Sequence, residues 1–564
     1  MGTDQINMAA PLRDPDEVMR LSRMGAFHQC RLSFMRTLLR RIKSEGWRFD
    51  VPVFDIDARG VGHAVYCAHG PRRSYSLVAF GHDLPPEKRS DRVIATEWDA
   101  TFTLFDGIPD QRDIERLRAN IPKQEAGRVN ETELSVSRAN RSARLWDYVV
   151  DTLATGEQPD AAAINEVGYL MRTTAVYGSG KLGAADREAT SDRPEFKAPF
   201  QIEMLSVYLT RAFVMDLVEH VARMRAPETA TTLAPDLRRR FGIGNSTGLG
   251  MAPYLLNHPA LLNNWIMARE TALARVRGLA SATKDEITQF HQLLHRARIN
   301  ADSWNSAHPI QIEKLDTLRQ DLARIAAHLE AEPLECDQPW DRLWTWARDN
   351  TGLEAQEQLV SLLIEPFGAL VDDLSDTMAA DETNTFTIDG SMPLSKLRVL
   401  LRDIYGWAID TDWKIAASQA RVWYTSEEKL EPRLGEREDD VAAFAQPLAP
   451  GRDAAFLFDD LRTAPEKKVA EFLLRHPENR HIVRRVQIAA QCPYAEIRDN
   501  TIAADLLPID LLRAKLSFFG AVHFDPRSDR WVRINMFRNA PFPQDLGQDS
   551  ADDWTYPPMM QAAQ

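Results

Sequence analysis

Phe241-Gly-Ile-Gly-Asn-Ser-Thr-Gly-Leu-Gly-Met-Ala-Pro253 packs four glycines and three small polar residues into thirteen positions. Glycine permits positive φ and close backbone approach, and Asn245, Ser246 and Thr247 add short hydrogen-bonding side chains. Helical patterns flank the stretch on both sides. It therefore reads as a polar loop between helices, and the chain around it as mainly α. The stretch is not a dinucleotide fingerprint, because no strand is predicted before it and its glycines are not spaced G-x-G-x-x-G. A helix start follows, and helix N-termini attract phosphates and carboxylates. Arg238, Arg239 and Arg240 precede it and are expected to add positive charge. Gly244, Asn245, Ser246, Thr247 and Gly248 are the substrate-binding residues this pattern suggests.

A second polar segment, Arg172 to Asp186, contains Tyr177-Gly-Ser-Gly-Lys181. Its end looks like a phosphate-binding loop. However, Ala175 stands where the first glycine is needed and Leu182 where Ser or Thr would hold magnesium, so that reading fails. Lys181 and Tyr177 remain as candidate general acid and base, with Arg172 and Ser179 beside them for substrate binding. Phe200 to Arg225 joins the two segments. It is apolar on most sides, so a central buried helix is expected, with both loops meeting at one of its ends.

Outward from this centre, Asp14-Pro-Asp-Glu opens a helix expected to run to Ser44, with Arg36, Arg40, Arg41 and Lys43 on a solvated face. Residues 49–57, 62–67, 74–80 and 93–105 alternate at period two and predict an antiparallel meander. His63, His69 and His82 lie on or beside it and are expected to be structural, with no metal ligands assigned. Lys123 to Ser142 reads as a linker, in which Arg138, Asn140 and Arg141 could reach an anion. Ala161 to Met171 reads as a helix, as do Pro259 to Arg277 and several later segments. Residues 518–537 predict a C-terminal β-hairpin.

The fold class expected is mainly α, with a small N-terminal α+β domain, a multi-helix core and that hairpin. The divisions expected are an arm (1–14), the α+β domain (15–125), a central helical domain (126–332) and a C-terminal helical domain (333–564). At 564 residues the chain exceeds what one core usually supports.

Three further patterns are weaker. Asp372-Asp-Leu-Ser-Asp376 fits a magnesium-binding DDxxD. His291 and His295 share a helical face. Trp423 to Arg433 mixes aromatics with charge in an exposed excursion. A net charge of −14 argues against nucleic acid and anionic membranes as partners. Four scattered cysteines fit a reducing compartment, and no apolar run suits a membrane span, so a cytoplasmic location is expected. The function expected is an enzyme acting on a small carboxylate- or phosphate-bearing metabolite by elimination or another proton transfer. No cofactor is indicated, and a homo-oligomer is left open. The alternative is a non-catalytic helical scaffold or regulatory protein, with residues 427–450 as its partner surface.

Overall fold

A computed structural model describes residues 10–84, 97–121, 130–176, 190, 192–248, 258–378, 387–415, 418, 423–426, 432–434, 443–445, 449–463, 465–498, 508–520, 531–548 and 550–556. In chain order the strands are β1 (Arg48–Ile56), β2 (Gly62–His69), β3 (Ser74–Gly81), β4 (Ala100–Asp106), β5 (Glu133–Arg141), β6 (Tyr169–Val176), β7 (Gly242–Gly248), β8 (Trp423–Ser426), β9 (Pro432–Leu434), β10 (Ala443–Ala445) and β11 (Trp531–Met536). Eight of them form one mixed sheet, β1-β2-β3-β4-β5-β6-β7-β11, curved into a half-barrel. Every neighbouring pair is antiparallel except β6–β7. A small three-stranded sheet, β10-β8-β9, stands in the 423–445 excursion.

This corrects the expected fold class. The meander β1–β4 is only half of a sheet that continues through the supposed linker, the tail of a supposed helix and the supposed glycine loop. The C-terminal hairpin is not local either. Of its two runs, residues 521–530 lie outside the described residues, and β11 pairs with β7 nearly three hundred residues earlier, Trp531 opposite Gly248 and Met536 opposite Ile243. One apolar cluster gathers buried residues from Val18 to Tyr556. A separate apolar cluster gathers Ile388, Leu394, Leu401, Trp413, Leu457, Ile482 and Val486.

The helix Gln201–Arg225 is the centre of the core, as its all-round apolar character predicts. It packs against β2 through β7, and Leu205, Phe213, Val214, Leu217 and Val218 are fully buried. The sheet presents Ala64, Tyr66, Leu77, Phe102 and Leu104 to that core. Alternate residues Val65, Cys67, Val78 and Phe80 turn to the other face, where Ile114 and Leu117 of the helix Gln111–Asn120 cover them. That helix starts on a capping box between Asp110 and Asp113. At the far end of the core Phe34, Phe200, Trp265, Phe518 and Phe519 form one aromatic cluster with ring centroids 5.0–6.5 Å apart. It ties the N-terminal segment to the C-terminal one.

Two helical expectations are also corrected. The N-terminal segment is three helices, Pro15–Val18, Leu21–Met24 and Phe34–Ser44. The helix predicted to reach Met171 stops at Val167, because Gly168 caps it at φ 74 and turns the chain into β6.

Gly242 and Gly244 have packing reasons to be glycine. A Cβ on Gly242 would lie 2.5 Å from the Met536 carbonyl oxygen, and one on Gly244 would lie 2.6–2.8 Å from three atoms of the Tyr169 ring. Gly244→Ala is therefore expected to lower stability by about 1–3 kcal/mol, the usual cost of overpacking. A denaturation midpoint equal to wild type would mean that Tyr169 swings aside freely.

Candidate functional site

The site expected from sequence centres on β6 and β7, which lie side by side and parallel, Arg172 opposite Gly244 and Thr173 opposite Asn245. Parallel neighbours need a long crossover, supplied here by the segment that contains the helix Gln201–Arg225. Arg172 is buried, and on its other side it pairs with Asn140 of β5. Asn140 accepts from the Asp99 amide at 2.9 Å and donates to the Glu97 carbonyl at 3.2 Å. Arg141 lies over the Trp146 ring at 4.6 Å, with its Nε 3.8 Å from the buried Asp99 carboxylate. Arg138 lies over Trp98 at 5.4 Å. The three polar residues expected in a linker thus stand on the strand next to β6.

Of the residues singled out, the structure brings Arg172, Gly244, Asn245, Ser246, Thr247 and Gly248 together on two neighbouring strands. The last five are strand residues, not a loop. All five pair with β11, and Gly244 and Asn245 pair with β6 on the other side. Tyr177, Ser179 and Lys181, as well as residues 249–257, lie outside the described residues.

The two ends of the parallel pair differ. At the amino end Arg211, fully buried on the central helix, donates to the carbonyl oxygens of Phe241 (2.7 Å), Ala540 (2.9 Å) and Arg239 (3.1 Å). Its guanidinium lies 3.8 Å from the Phe542 ring centroid. Burial pushes its pKa down to about 9, against the neighbouring Tyr208. Asn535 donates to the Val167 carbonyl and Arg538 to Asn165. This end is closed by side chains that satisfy backbone.

The expectation that Arg238, Arg239 and Arg240 would add charge to the glycine-rich loop is corrected on the same grounds. Because residues 242–248 are extended, at about 3.3 Å per residue they carry Gly248 roughly 20 Å away from these arginines. Arg238 is held by Asp216 at 2.7 Å and Glu219 at 3.2 Å, and Arg239 donates to the Asn539 carbonyl.

The aspartate run 372–376 and the arginines of the N-terminal segment resolve into ion pairs. Asp372 meets Arg31 at 2.6 Å and Arg40 at 3.4 Å, Asp373 meets Arg275 at 2.7 Å, and Asp376 meets Arg41 at 2.6 Å. The DDxxD carboxylates thus serve four arginines. The solvated face expected for Arg36, Arg40 and Arg41 is corrected by the same contacts: Arg36 is 1% exposed and paired with Glu365. Arg40 meets Asp552 at 2.9 Å.

A second charged cluster, missed by sequence reasoning, lies deeper. Glu357, on the helix Leu353–Ile364, accepts from Arg13 (2.6 Å), Arg23 (2.8 Å) and Arg269 (2.5 Å). Glu270 accepts from Arg13 at 2.7 Å through two nitrogens. Glu354 of the same helix bonds His28 at 2.7 Å and Arg513 at 2.8 Å. Every member sits in the core or at its margin, and the cluster clamps the N-terminal segment to the helical half.

Comparison with known proteins finds no matching family model, no matching curated protein and no matching solved structure, so the function is argued from these residues alone.

Proposed function

We propose that the protein is an enzyme that binds a small carboxylate- or phosphate-bearing metabolite beyond the carboxyl ends of β6 and β7 and acts on it by proton transfer. One observation carries this reading: the parallel register of Arg172 with Gly244 and Thr173 with Asn245. Two adjacent strands run out in the same direction, and in the sequence each continues into a polar, glycine-bearing segment. Where parallel strands meet, ligands favour the crevice outside their carboxyl ends. The amino end is already filled by Arg211, Asn535 and Arg538.

In this reading Lys181 and Tyr177 are the acid and base, on residue type and on their place in the chain just after Val176. Arg172 and Ser179 bind the anion, together with the β7 residues from Gly244 to Gly248.

A thermal-shift screen against carboxylates, phosphates, nucleotides and coenzyme A esters tests this. A ligand at about 100 times its dissociation constant should stabilise by roughly 2.7 kcal/mol. The expected result is an anionic hit whose turnover is lost in Lys181→Ala and Tyr177→Phe, and whose binding is lost in Arg172→Met. No stabilisation by any anion, or a hit indifferent to all three substitutions, would overturn the reading and leave the scaffold alternative.

A further inference from the structure

Among the described residues one trio of metal-ligating side chains gathers its donor atoms: Asp50, Cys67 and His69, all within 4.8 Å of one another. The sheet builds it. Cys67 and His69 are two residues apart on β2 and so point to the same face. Asp50 of β1 stands directly opposite Cys67. His69 Nε2 lies 3.2 Å from the Asp50 carboxylate. The third strand backs both donors, with Ser74 opposite His69 and Ser76 opposite Cys67. Ser74 Oγ is 2.9 Å from His69 Nδ1, and Ser76 Oγ is 3.3 Å from the Cys67 sulfur.

We infer that Asp50, Cys67 and His69 form a binding site for a thiophilic divalent cation, zinc foremost. Zinc takes Cys sulfur at about 2.3 Å and His nitrogen or carboxylate oxygen at about 2.0–2.2 Å, which places tetrahedral donors roughly 3.3–3.7 Å apart. The donors here need only a small contraction to reach that spacing. In this structure Nε2–H donates to the Asp50 carboxylate; a cation bound there takes the place of that hydrogen, and the imidazole then carries its proton on Nδ1, donated to Ser74. A second hydrogen bond that fixes the tautomer is the usual support for a ligating imidazole. The Ser76 hydroxyl, which now donates to the Gly107 carbonyl at 2.7 Å, can turn its hydrogen to a thiolate.

Cys67 is 1% exposed. On binding, the S–H proton leaves to solvent and a metal–sulfur bond forms. Thiolate and carboxylate then neutralise the two positive charges. Asp50 is exposed on the edge strand, so the fourth position opens to water. Sulfur and imidazole donors disfavour magnesium and calcium, which prefer oxygen. The trio was legible in principle: Cys67-Ala-His69 on an alternating strand, with an aspartate across the preceding turn.

The test is cobalt(II) titration of the full-length protein after treatment with a chelator. The expected result is one equivalent bound with a thiolate-to-cobalt charge-transfer band, displaced by zinc. The band is absent from Cys67→Ser. In Asp50→Asn, whose exposed site leaves folding intact, affinity falls by at least about tenfold, the loss typical even of groups that only orient a ligand. No band in the wild-type protein would overturn the inference. So would a band that survives in Cys67→Ser, or unchanged affinity in Asp50→Asn.

Discussion

Glu357→Ala is expected to destabilise the fold by about 3–5 kcal/mol, the range for removing one partner of a buried ion pair. The carboxylate is fully buried and receives three guanidinium groups, from Arg13, Arg23 and Arg269. Without it Arg13 and Arg269 share Glu270 while Arg23 keeps only Glu17 at the surface, which leaves one uncompensated positive charge in the core. Burial alone would raise the Glu357 carboxyl, but the arginines outweigh it and hold it well below the usual carboxylate range.

The loss should be directional. Arg13 and Arg23 belong to the N-terminal segment, so residues 10–44 should become the first target of limited proteolysis, while the helix Gln201–Arg225 stays protected. Arg13 and Glu357 act as one unit, so Arg13→Ala should cost much less in the Glu357→Ala background than alone. A single-variant cost under about 1 kcal/mol, or fully additive costs, would show that the cluster does not hold this segment.

That network explains what sequence could and could not reveal. Alternation made β1 to β4 legible, because a strand with two unlike faces repeats at period two. The helix Pro259–Arg277 was legible from Pro259 in its first turn and Gly278 just beyond its end. β6 and β7 were not. Tyr169-Leu-Met-Arg-Thr-Thr-Ala-Val176 and Gly242-Ile-Gly-Asn-Ser-Thr-Gly248 group their apolar and polar residues in blocks and carry no period of two. Gly242 and Gly244 also imitate a loop, although they are there because a carbonyl and an aromatic ring press on them.

The arginine clusters were hidden for another reason. A charge in a sequence is by default a surface charge. The partners that bury these are separated by 344 residues for Arg13 and Glu357 and by 329 for Arg36 and Glu365. The proposed site was half visible. Its two glycine-bearing segments could be read, and so could the central helix between them, but their adjacency rests on the parallel pairing of β6 with β7.

Acid should dismantle the same clamp in a definite window. Burial opposes the charged form of Glu354, but Arg513 and His28 outweigh it and hold the carboxyl at about 2, against an ordinary 4.5. Asp552 is likewise held at about 2 by Arg40, Arg36 and Arg31 against the effect of burial. A carboxyl whose folded pKa is depressed contributes stability that is complete above its unfolded pKa and is lost as pH falls through the folded one. The Glu354 contribution is thus whole above about pH 4.5 and disappears toward pH 2. It amounts to about 3 kcal/mol, at 1.36 kcal/mol per unit.

His28 works in the same direction at higher pH. Burial lowers its pKa despite Glu354. The unfolded chain therefore takes up a proton below about pH 6.5 that the folded chain resists, and stability begins to fall there. Urea midpoints measured from pH 7 to pH 2.5 on wild type and Glu354→Gln separate these groups. The variant should be weaker at pH 7, because Arg513 has lost its carboxylate, yet flatter below pH 4.5, so that the two curves converge in acid. Parallel curves across that window would mean that Glu354 carries no depressed carboxyl and that acid loosens the N-terminal segment through other groups.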